Sequence, residues 1–352
     1  MQPIVGPFAW RGADLSTDHG WIVELTSEQV DELRTVGERF VEDDPDLRTV
    51  TATDYPLPRS AEAIAAFGES LDRGRGFVLV RGLPTHTYDD ALAGAIFYVM
   101  GLHLGVPMRQ NELGDLLDHV IATSDKTLEE ADALPSRVRD RLDFHSDSSD
   151  VVALMCLRAA KEGGASSLVS GATLFNEVLS RRPDLAALLL EPWYFDWRKQ
   201  DPDAPADYYT SPIVSWTGGV FSMYAGTSMI RSAQRHDGLP RLTATQNEAL
   251  DLLDAITHEP GIALDMDFRP GDVQWLLNYA ALHSRTSFVD HPEPERRRHL
   301  LRLWLKRDVG RPLVPGFGKH VVVGREESRT ADDSKGNFRI ADAVLPRHDW
   351  GQ

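Results

Sequence analysis

The spacing of apolar residues changes along the chain, from helical periods in the first 140 residues to short apolar runs after them. Thr26-Ser-Glu-Gln29 is a capping-box pattern and predicts a helix over 27–40. The segment 61–74 keeps a helical period, and the apolar segment 89–105 predicts a mostly buried helix. Between them GFVLVRGL, at 76–83 and bounded by glycines, predicts a buried strand.

From residue 145 onwards, short apolar runs predict strands. They are VVALMCL, SLVS, PIVSW, VFSMYA, IALDMDF, DVQWLL and HLLRLWL. Helical patterns separate some of them, at ATLFNEVLSRR and from Thr243 to about Ile256, where T-x-x-Q repeats the capping-box signal. The chain has no regular βαβα alternation and no glycine-rich phosphate loop after GFVLV, so a nucleotide-binding doubly wound fold is disfavoured. The pattern predicts a mainly β protein with a helical elaboration on a β-sandwich or jelly-roll core.

The domain organisation predicted from the sequence is a single unit. No stretch rich in Gly, Ser and Pro is long enough to serve as an interdomain linker, and no internal repeat is visible. We expect one domain over 1–352, with an N-terminal part of helices and strands (1–140), a jelly-roll core that carries the site (about 141–310) and a C-terminal tail (311–352).

The composition narrows the class of partner. Asp and Glu number 54 against 37 Lys and Arg, which gives a formal net charge of −17. Nucleic-acid binders need a basic surface, so neither a nucleic acid nor an anionic membrane is expected, and a small-molecule substrate is. The single cysteine, Cys156, cannot form an internal disulfide and lies in an apolar run that predicts burial. Without an apolar stretch of membrane-spanning length or a secretory pattern at Met1, a cytoplasmic location is expected.

Candidate metal chemistry begins at His145-Ser-Asp147. Residues two apart on a strand share a face, so these two side chains, at the start of a predicted strand, can serve one ion. The spacing alone carries little weight, because His291 and Glu293 share it in a charged turn that contains Pro292 and Pro294. A third ligand is available at His283, which follows the predicted core strand DVQWLL. Two histidines and one carboxylate, with other positions open, are the donor set that suits non-haem Fe(II).

The tract ERRRHLLRLWL adds two arginines with an unusual placement. A period of two puts Arg298, Leu300, Arg302 and Trp304 on one face of a strand. Arginines on an otherwise apolar face need an anion, because a buried unpaired charge is costly, and a guanidinium holds a carboxylate through two parallel hydrogen bonds. Arg298 follows His283 by 15 residues across a proline-containing turn, so we expect the two on adjacent antiparallel strands.

These motifs occur in the order His145-Ser-Asp147, Gly163-Gly-Ala-Ser-Ser167, His283 and Arg298-x-x-x-Arg302. Together they resemble the taurine dioxygenase and clavaminate synthase-like group of Fe(II)- and 2-oxoglutarate-dependent oxygenases, whose core is a double-stranded β-helix. The ordered set spans about 145–305, and the GFVLVRGL strand also resembles the N-terminal region of that group.

The resemblance implies roles for individual residues. His145, Asp147 and His283 would bind Fe(II). Arg298 would bind the distal carboxylate of 2-oxoglutarate with Arg302 beside it. Ser166 would donate a hydrogen bond to the same co-substrate, at a position where the group often has threonine.

The resemblance also implies the reaction. Fe(II), 2-oxoglutarate and O₂ would hydroxylate an unactivated C–H bond of a small acid, amino acid or related metabolite, with release of succinate and CO₂. Asp147 is the carboxylate that halogenating relatives lack, which favours hydroxylation. Desaturation, cyclisation or epimerisation in natural-product biosynthesis uses the same cofactors and stays open. A non-catalytic jelly-roll protein that binds a metal is the other alternative, but it would need no carboxylate clamp at Arg298 and Arg302.

Four residues are candidates for contact with the substrate, and each also has a simpler structural explanation. Gln110 and Asn111 lie in a polar turn after the buried helix, where turn hydrogen bonding is the alternative. Tyr224 lies in a strand pattern that also fits wall packing, and Arg231 would hold a substrate carboxylate unless it forms a surface ion pair.

Overall fold

The computed structural model describes residues 1–111, 113–128, 130, 133–197, 206–307, 311–318 and 336–346. The α-helices in these ranges are α1 (Gly12–Leu15), α2 (Ser27–Asp43), α3 (Ala61–Asp72), α4 (Asp90–Leu102), α5 (Gly171–Arg181), α6 (Pro183–Leu188), α7 (Thr227–Ala233), α8 (Ala244–Thr257) and α9 (Ile340–Ala343). The strands are β1 (Ile22–Glu24), β2 (Phe77–Arg81), β3 (Val106–Pro107), β4 (Leu117–Val120), β5 (Leu142–His145), β6 (Val151–Arg158), β7 (Glu162–Gly163), β8 (Ser166–Ser170), β9 (Pro192–Asp196), β10 (Tyr208–Pro212), β11 (Val214–Thr217), β12 (Val220–Met223), β13 (Leu264–Met266), β14 (Val273–Leu277), β15 (Ala281–Arg285), β16 (Phe288–Val289) and β17 (His299–Lys306).

Most predicted elements are confirmed, with bounds that differ by a few residues. Both capping boxes are present: at the start of α2 the Thr26 hydroxyl accepts from the Gln29 backbone N–H, and Thr243 and Gln246 repeat this arrangement at α8. The long apolar runs become β6, β14 and β17. The run PIVSW does not form one strand, because β10 ends within it and β11 begins two residues later.

Two sheets pack face to face and enclose the region that holds the site. The larger sheet has the order β1-β2-β14-β6-β17-β3, with β4 also paired to β17, and the smaller one has the order β13-β8-β15-β5. One apolar cluster joins their inner faces, with Leu276 and Trp304 from the larger sheet and Leu168 and Met266 from the smaller. The fold is therefore a sheet-rich mixture of strands and helices.

Helices cover the outer face of the larger sheet. α4 approaches β17 closely at Gly101, where an added Cβ atom would stand 2.7 Å from Leu303 Cδ1. At Gly94 an added Cβ atom would stand 2.3 Å from Val344 Cγ1, so this glycine makes room for the residue that follows α9. Cys156 is buried, as predicted. Among the described helices, none combines the length and apolar character needed to cross a membrane.

One expectation about the topology is wrong. Arg298 directly precedes β17 in the larger sheet, whereas His283 lies on β15 in the smaller sheet. The connection between them contains β16 and the 3₁₀ turn Pro294–Arg296, and it crosses from one sheet to the other instead of closing a hairpin. The two residues therefore face each other across the gap between the sheets, and both line the cavity there.

Candidate metal centre

Adjacent strands of the smaller sheet bring two histidines side by side. His145 is the last residue of β5 and His283 is the middle residue of β15, and the antiparallel register pairs them directly. Directly opposed residues of antiparallel strands project to the same face. The centroids of the two imidazole rings are accordingly 4.3 Å apart.

Asp147 joins the two histidines, but not from a strand. β5 ends at His145, so Asp147 lies in the connection to β6 and the strand geometry predicted for it is wrong. The predicted cluster nevertheless exists, because the potential ligand atoms of His145, Asp147 and His283 all lie within 4.8 Å of one another.

Asn278 holds the turn that carries Asp147. Its Oδ1 accepts the backbone N–H of Asp147 at 3.2 Å, and its Nδ2 donates to the carbonyl and the hydroxyl of Ser149, each at 2.9 Å. Asn278 is fully buried. The sequence analysis missed it, although a single amide inside the apolar run WLLNYAAL is the kind of signal that marks a buried polar contact.

The two carboxylate oxygens of Asp147 have different surroundings. Oδ2 accepts from Trp304 Nε1 at 2.8 Å and from Arg302 Nη1 at 3.4 Å. Oδ1 lies 3.8 Å from His145 Nε2. The side of the carboxylate away from the histidines is therefore held by two donors, while the other oxygen is turned toward the imidazoles. Trp304 is a second functional residue that the sequence analysis did not single out.

The electrostatics of the cluster favour the protonation states that bind a metal. Burial raises the pKa of Asp147, but the charges of Arg302, His283 and His145 outweigh it, and the net result is a lowered pKa. Burial, reinforced by His145, lowers the pKa of His283 to about 3. Near neutral pH the cluster thus contains a carboxylate and a neutral imidazole, the forms that coordinate metal ions.

Arg302 belongs to a buried ion network on the larger sheet. Its Nη2 lies 2.9 Å from Asp118, which also pairs with Arg137 at 2.6 Å. Burial raises the pKa of Asp118, and Arg137 and Arg302 more than reverse this, bringing it to about 2. Gln110 lines the cavity, but its side-chain amide is part of this network, since its Oε1 accepts from Arg302 Nε at 2.9 Å. Because the guanidinium of Arg302 contacts Asp118, Gln110 and Asp147, we assign Arg302 the role of holding Asp147 in place.

A cavity of about 420 Å³ lies between the sheets and reaches the metal cluster. His145, Asp147 and His283 line it together with Arg298 and Ser166. The neighbouring Ser167 hydroxyl instead donates to Asp265, so Ser166 supplies the hydroxyl that faces the cavity.

The Gly163-Gly164 pair explains how Arg298 reaches the cavity. Both glycines have positive φ, at 73° and 71°. A Cβ atom at Gly164 would stand 2.9 Å from Arg298 Nε and 3.1 Å from its Cδ. The turn therefore needs glycine both for its backbone conformation and for the space that the arginine occupies.

Two further polar residues on the cavity wall were not predicted. Arg285 follows His283 by two positions on β15, so strand alternation alone places it on the same face. Gln274 is the one amide in the strand VQWLL, and it points to the inner face with Leu276. Burial lowers the pKa of Arg285 to about 9 and that of Arg298 to about 10, so both remain cationic near neutral pH.

Of the other candidates for substrate contact, only Asn111 is on the cavity wall. Its side chain also makes hydrogen bonds within its own turn, including one from Nδ2 to Asp115 at 3.0 Å. Tyr224 packs in the core and shares a 2.9 Å hydrogen bond with the Tyr209 hydroxyl. Arg231 pairs with Asp251 at 2.7 Å. Among the described residues of the cavity wall neither Tyr224 nor Arg231 is present, so wall packing and a surface ion pair account for them.

Comparison with protein families gives a match over most of the chain. Residues 44–304 match the model described as "Taurine catabolism dioxygenase TauD, TfdA family". FR-33289 synthase of Streptomyces rubellomurinus (strain ATCC 31215) is 27% identical over 322 residues, which cover 91% of this chain and 95% of that protein. A taurine hydroxylase-like protein of Stachybotrys chartarum (strain CBS 109288 / IBT 7711) is 26% identical over 325 residues, covering 88% and 82%.

Solved structures share the fold at low sequence identity. Asparagine oxygenase in complex with Fe(II), 2S,3S-3-hydroxyasparagine and succinate superposes with a TM-score of 0.64 at 17% identity, over 81% of this chain and 93% of that one. The non-heme iron oxygenase OrfP in complex with Fe and alpha-ketoglutaric acid gives a TM-score of 0.59 at 15% identity, over 82% and 95%.

Proposed function

The chain belongs to the TauD, TfdA family of dioxygenases, and from this premise we propose that it hydroxylates an unactivated C–H bond of a small acid, amino acid or related metabolite. In this proposal His145, Asp147 and His283 bind the iron, and Arg298 binds the distal carboxylate of 2-oxoglutarate with a hydrogen bond from Ser166. The observation that carries the proposal is the presence of the His–Asp–His cluster and Arg298 on the wall of one buried cavity.

The protein is a 2-oxoglutarate-dependent non-haem iron dioxygenase. Its residues fit that cofactor, because two imidazoles and one carboxylate are the donors that suit Fe(II) and they leave other coordination positions open. Bound iron and 2-oxoglutarate together activate O₂ for oxidation of a C–H bond, with succinate and CO₂ as by-products. A metal-binding protein without catalysis, the alternative from the sequence, does not fit a member of a dioxygenase family.

The chain's own contribution to such a reaction is orientation and exclusion of water. Trp304 and Arg302 fix the carboxylate of Asp147 from behind, so that one oxygen stays turned toward the histidines. Leu154, Val120 and Leu300 supply apolar wall near the charged residues, which strengthens the electrostatic interactions inside. Placing one C–H bond of a bound substrate beside the metal is a positioning task for the same cavity.

Support for an amino acid as substrate comes from the solved structures with the same fold. Asparagine oxygenase contains 2S,3S-3-hydroxyasparagine, and OrfP has been solved with (3S)-hydroxy-L-Arg. Both are products of hydroxylation at a carbon of an amino acid. We extend only this chemical class to the present chain, and we further propose that the two facing sheets form the double-stranded β-helix of a single domain over 1–352.

Two measurements test the proposal in sequence. Anaerobic addition of 2-oxoglutarate to the Fe(II)-loaded protein should produce a visible charge-transfer absorption band. A screen for succinate release over amino acids, small acids and betaines should then identify a substrate that raises the turnover above the uncoupled background. A folded protein that binds Fe(II) but gives neither the band nor succinate contradicts the proposed function.

A further inference from the structure

Outside the metal cluster and the ion network of Asp118, three buried side chains on the cavity wall carry polar atoms without hydrogen-bond partners among the described residues. They are Arg285 (Nε and Nη1), Arg298 (Nη1) and Gln274 (Nε2 and Oε1). The exposed fractions of these residues are 5%, 3% and 1%. Burying a polar group without a partner is unfavourable, and burying a charged group without one is more so. Several such groups around one cavity indicate a ligand that satisfies them together.

Neither of the two arginines is in direct contact with a carboxylate among the described residues. In the described ranges neither Arg285 nor Arg298 takes part in an ion pair within 4.0 Å. Asp290 is close, but its Oδ1 accepts the backbone N–H of Arg298 at 2.9 Å rather than a guanidinium hydrogen. Both guanidinium groups lie against the ring of Phe288, with Cζ 4.8 Å and 5.2 Å from its centroid. Two like charges therefore converge on one apolar side chain.

The strand register places Gln274 in the sheet opposite the one that carries Arg285. Arg285 pairs directly with Ser166 in the smaller sheet. Gln274 lies in the larger sheet, where it pairs with Leu154, and all three polar residues line the same cavity. The Ser166 hydroxyl, the Gln274 amide and the two guanidinium groups thus belong to one cavity wall, which both sheets contribute to.

We propose that Arg285 and Gln274 bind the distal carboxylate of 2-oxoglutarate together with Arg298 and Ser166. This inference rests on the proposed function of the cavity. A carboxylate offers about four lone-pair positions, and four unpartnered donor atoms, Arg298 Nη1, Arg285 Nε and Nη1, and Gln274 Nε2, are available to fill them, with the Ser166 hydroxyl as a further donor. The co-substrate is then recognised from both sheets, and the site is selective for a 2-oxo acid with a second carboxylate.

The test compares two ligands that differ only at the distal end. 2-Oxopentanoate has the chain of 2-oxoglutarate with a methyl group in place of the distal carboxylate. Dissociation constants of both ligands are measured anaerobically on the Fe(II)-loaded protein, from the charge-transfer band. Gln274→Met should weaken 2-oxoglutarate about tenfold, because it removes a hydrogen bond to a charged group. The same change should leave 2-oxopentanoate within about threefold of wild type.

Arg285→Met should have a larger effect, weakening 2-oxoglutarate about 100-fold through loss of a buried charge. Arg285→Lys keeps the charge and should recover part of that loss.

Arg311→Met is the matched control, since Arg311 is a largely buried arginine whose Nε donates to Ser222 away from the cavity. Arg285 Nη2 also donates to the carbonyls of Val138 and Asp140, so its loss can affect folding. Gln274 makes no such bond, and its variant therefore keeps the test informative.

The outcomes separate this inference from the proposed function. A wild-type protein that binds neither ligand contradicts the proposed function itself. A wild type that prefers 2-oxoglutarate, with the same preference retained in Gln274→Met and Arg285→Met, overturns only the inference. Loss of preference in both variants, with the control unchanged, supports it.

Discussion

Two pairs of histidine rings are in contact in the part of the chain that the structure describes, and their hydrogen bonds differ. In the first pair, His119 and His299, Nδ1 of His119 lies 2.7 Å from Nε2 of His299. The chain of bonds continues on both sides, from Arg158 Nη2 to His299 Nδ1 at 2.7 Å and from His119 Nε2 to the carbonyl of Ala343 at 2.9 Å. An arginine can only donate and a carbonyl can only accept, so both rings are neutral with the proton on Nε2. All four ring nitrogens of this pair therefore take part in hydrogen bonds.

The second pair, His145 and His283, has no hydrogen bond between its rings. His145 Nδ1 lies 2.8 Å from the carbonyl of Asp143, which can only accept, so the lone pair of this ring is on Nε2. That atom is 3.8 Å from Asp147 Oδ1. The pair therefore keeps electron pairs available next to a carboxylate, as a metal site requires.

Burial and pKa do not distinguish the two pairs. Burial lowers the pKa of His119 to about 4 and, with help from His145, that of His283 to about 3. The difference lies in whether a neighbour already uses the lone pair. A histidine cluster is a candidate metal site when its lone pairs are free, and a structural device when they are not.

The strongest way to test this contrast is to remove the carboxylate of the second pair. Asp147→Ala should lower the affinity for Fe(II) by more than about 100-fold, since loss of a ligand exceeds the effect of losing an outer-shell partner. Affinity is measured by competition with a chelator of known strength. His299→Leu, in the first pair, is the control and should bind Fe(II) like wild type. A metal affinity that depends on His299 and not on Asp147 would reverse the assignment.

The converse test removes one ring of the first pair. His299→Leu leaves His119 Nδ1 and one hydrogen bond of Arg158 without partners inside the protein. We expect the free energy of unfolding in urea to fall by about 2 kcal/mol. An unchanged midpoint and slope would mean that the histidine chain contributes nothing to stability.

A smaller loss of Fe(II) affinity is expected when the hydrogen bond from Trp304 to Asp147 is removed. Trp304→Phe removes the 2.8 Å hydrogen bond to Asp147 Oδ2 and keeps an aromatic ring in the same apolar cluster. Loss of such an outer partner should weaken Fe(II) binding about tenfold. The unfolding free energy of the metal-free variant, followed in urea, serves as the control and should stay close to wild type. Equal metal affinities for the two proteins would show that Trp304 only packs.

The smallest expected effect is a pH dependence of stability. His119 and His299 have folded-state pKa values below the ordinary 6.5, so the unfolded chain takes up protons first. Their contribution is complete above that value and is lost as the pH falls toward 4. Between pH 6.5 and 5.5 wild type should lose about 1 kcal/mol more than His299→Leu in unfolding free energy. Parallel curves for the two proteins would contradict the neutral state of the pair.

The members of the His–Asp–His cluster could be predicted from the sequence, but the reasons for their placement could not. His145, Asp147 and His283 were identifiable by order and context, but the expected strand carrying both His145 and Asp147 is a strand end and a turn. The buried amide that holds this turn, Asn278, lies 131 residues from Asp147. Contacts at such separations depend on which strands pair, and local periodicity does not contain that information.

The arginines show the same limit. Alternation placed Arg302 correctly on the inner face, but its partner Asp118 is 184 residues away on β4, so the ion network was not predictable. The position of Arg285 on the cavity wall could have been predicted from strand alternation, because it follows His283 by two positions on β15. It was overlooked because its local tract, LHSRTS, has no repeated charge to draw attention, unlike ERRRHLLRLWL.

The strand β17 carries hydrogen-bonded polar side chains on both of its faces, and these contacts favour one alignment of the strand. Its inner face presents Arg302 and Trp304 to Asp147, and its outer face presents His299 to His119. A slip of one residue during folding would turn Leu303 toward the metal cluster and press Arg302 against the glycines of α4. A misaligned pairing would thus break the hydrogen bonds to Asp147 on one face and the hydrogen bond between the histidines on the other. The contacts of Arg302 and Trp304 with Asp147 and the contact of His299 with His119 therefore both favour the same register of β17. This disfavours misfolded pairings at the centre of the larger sheet.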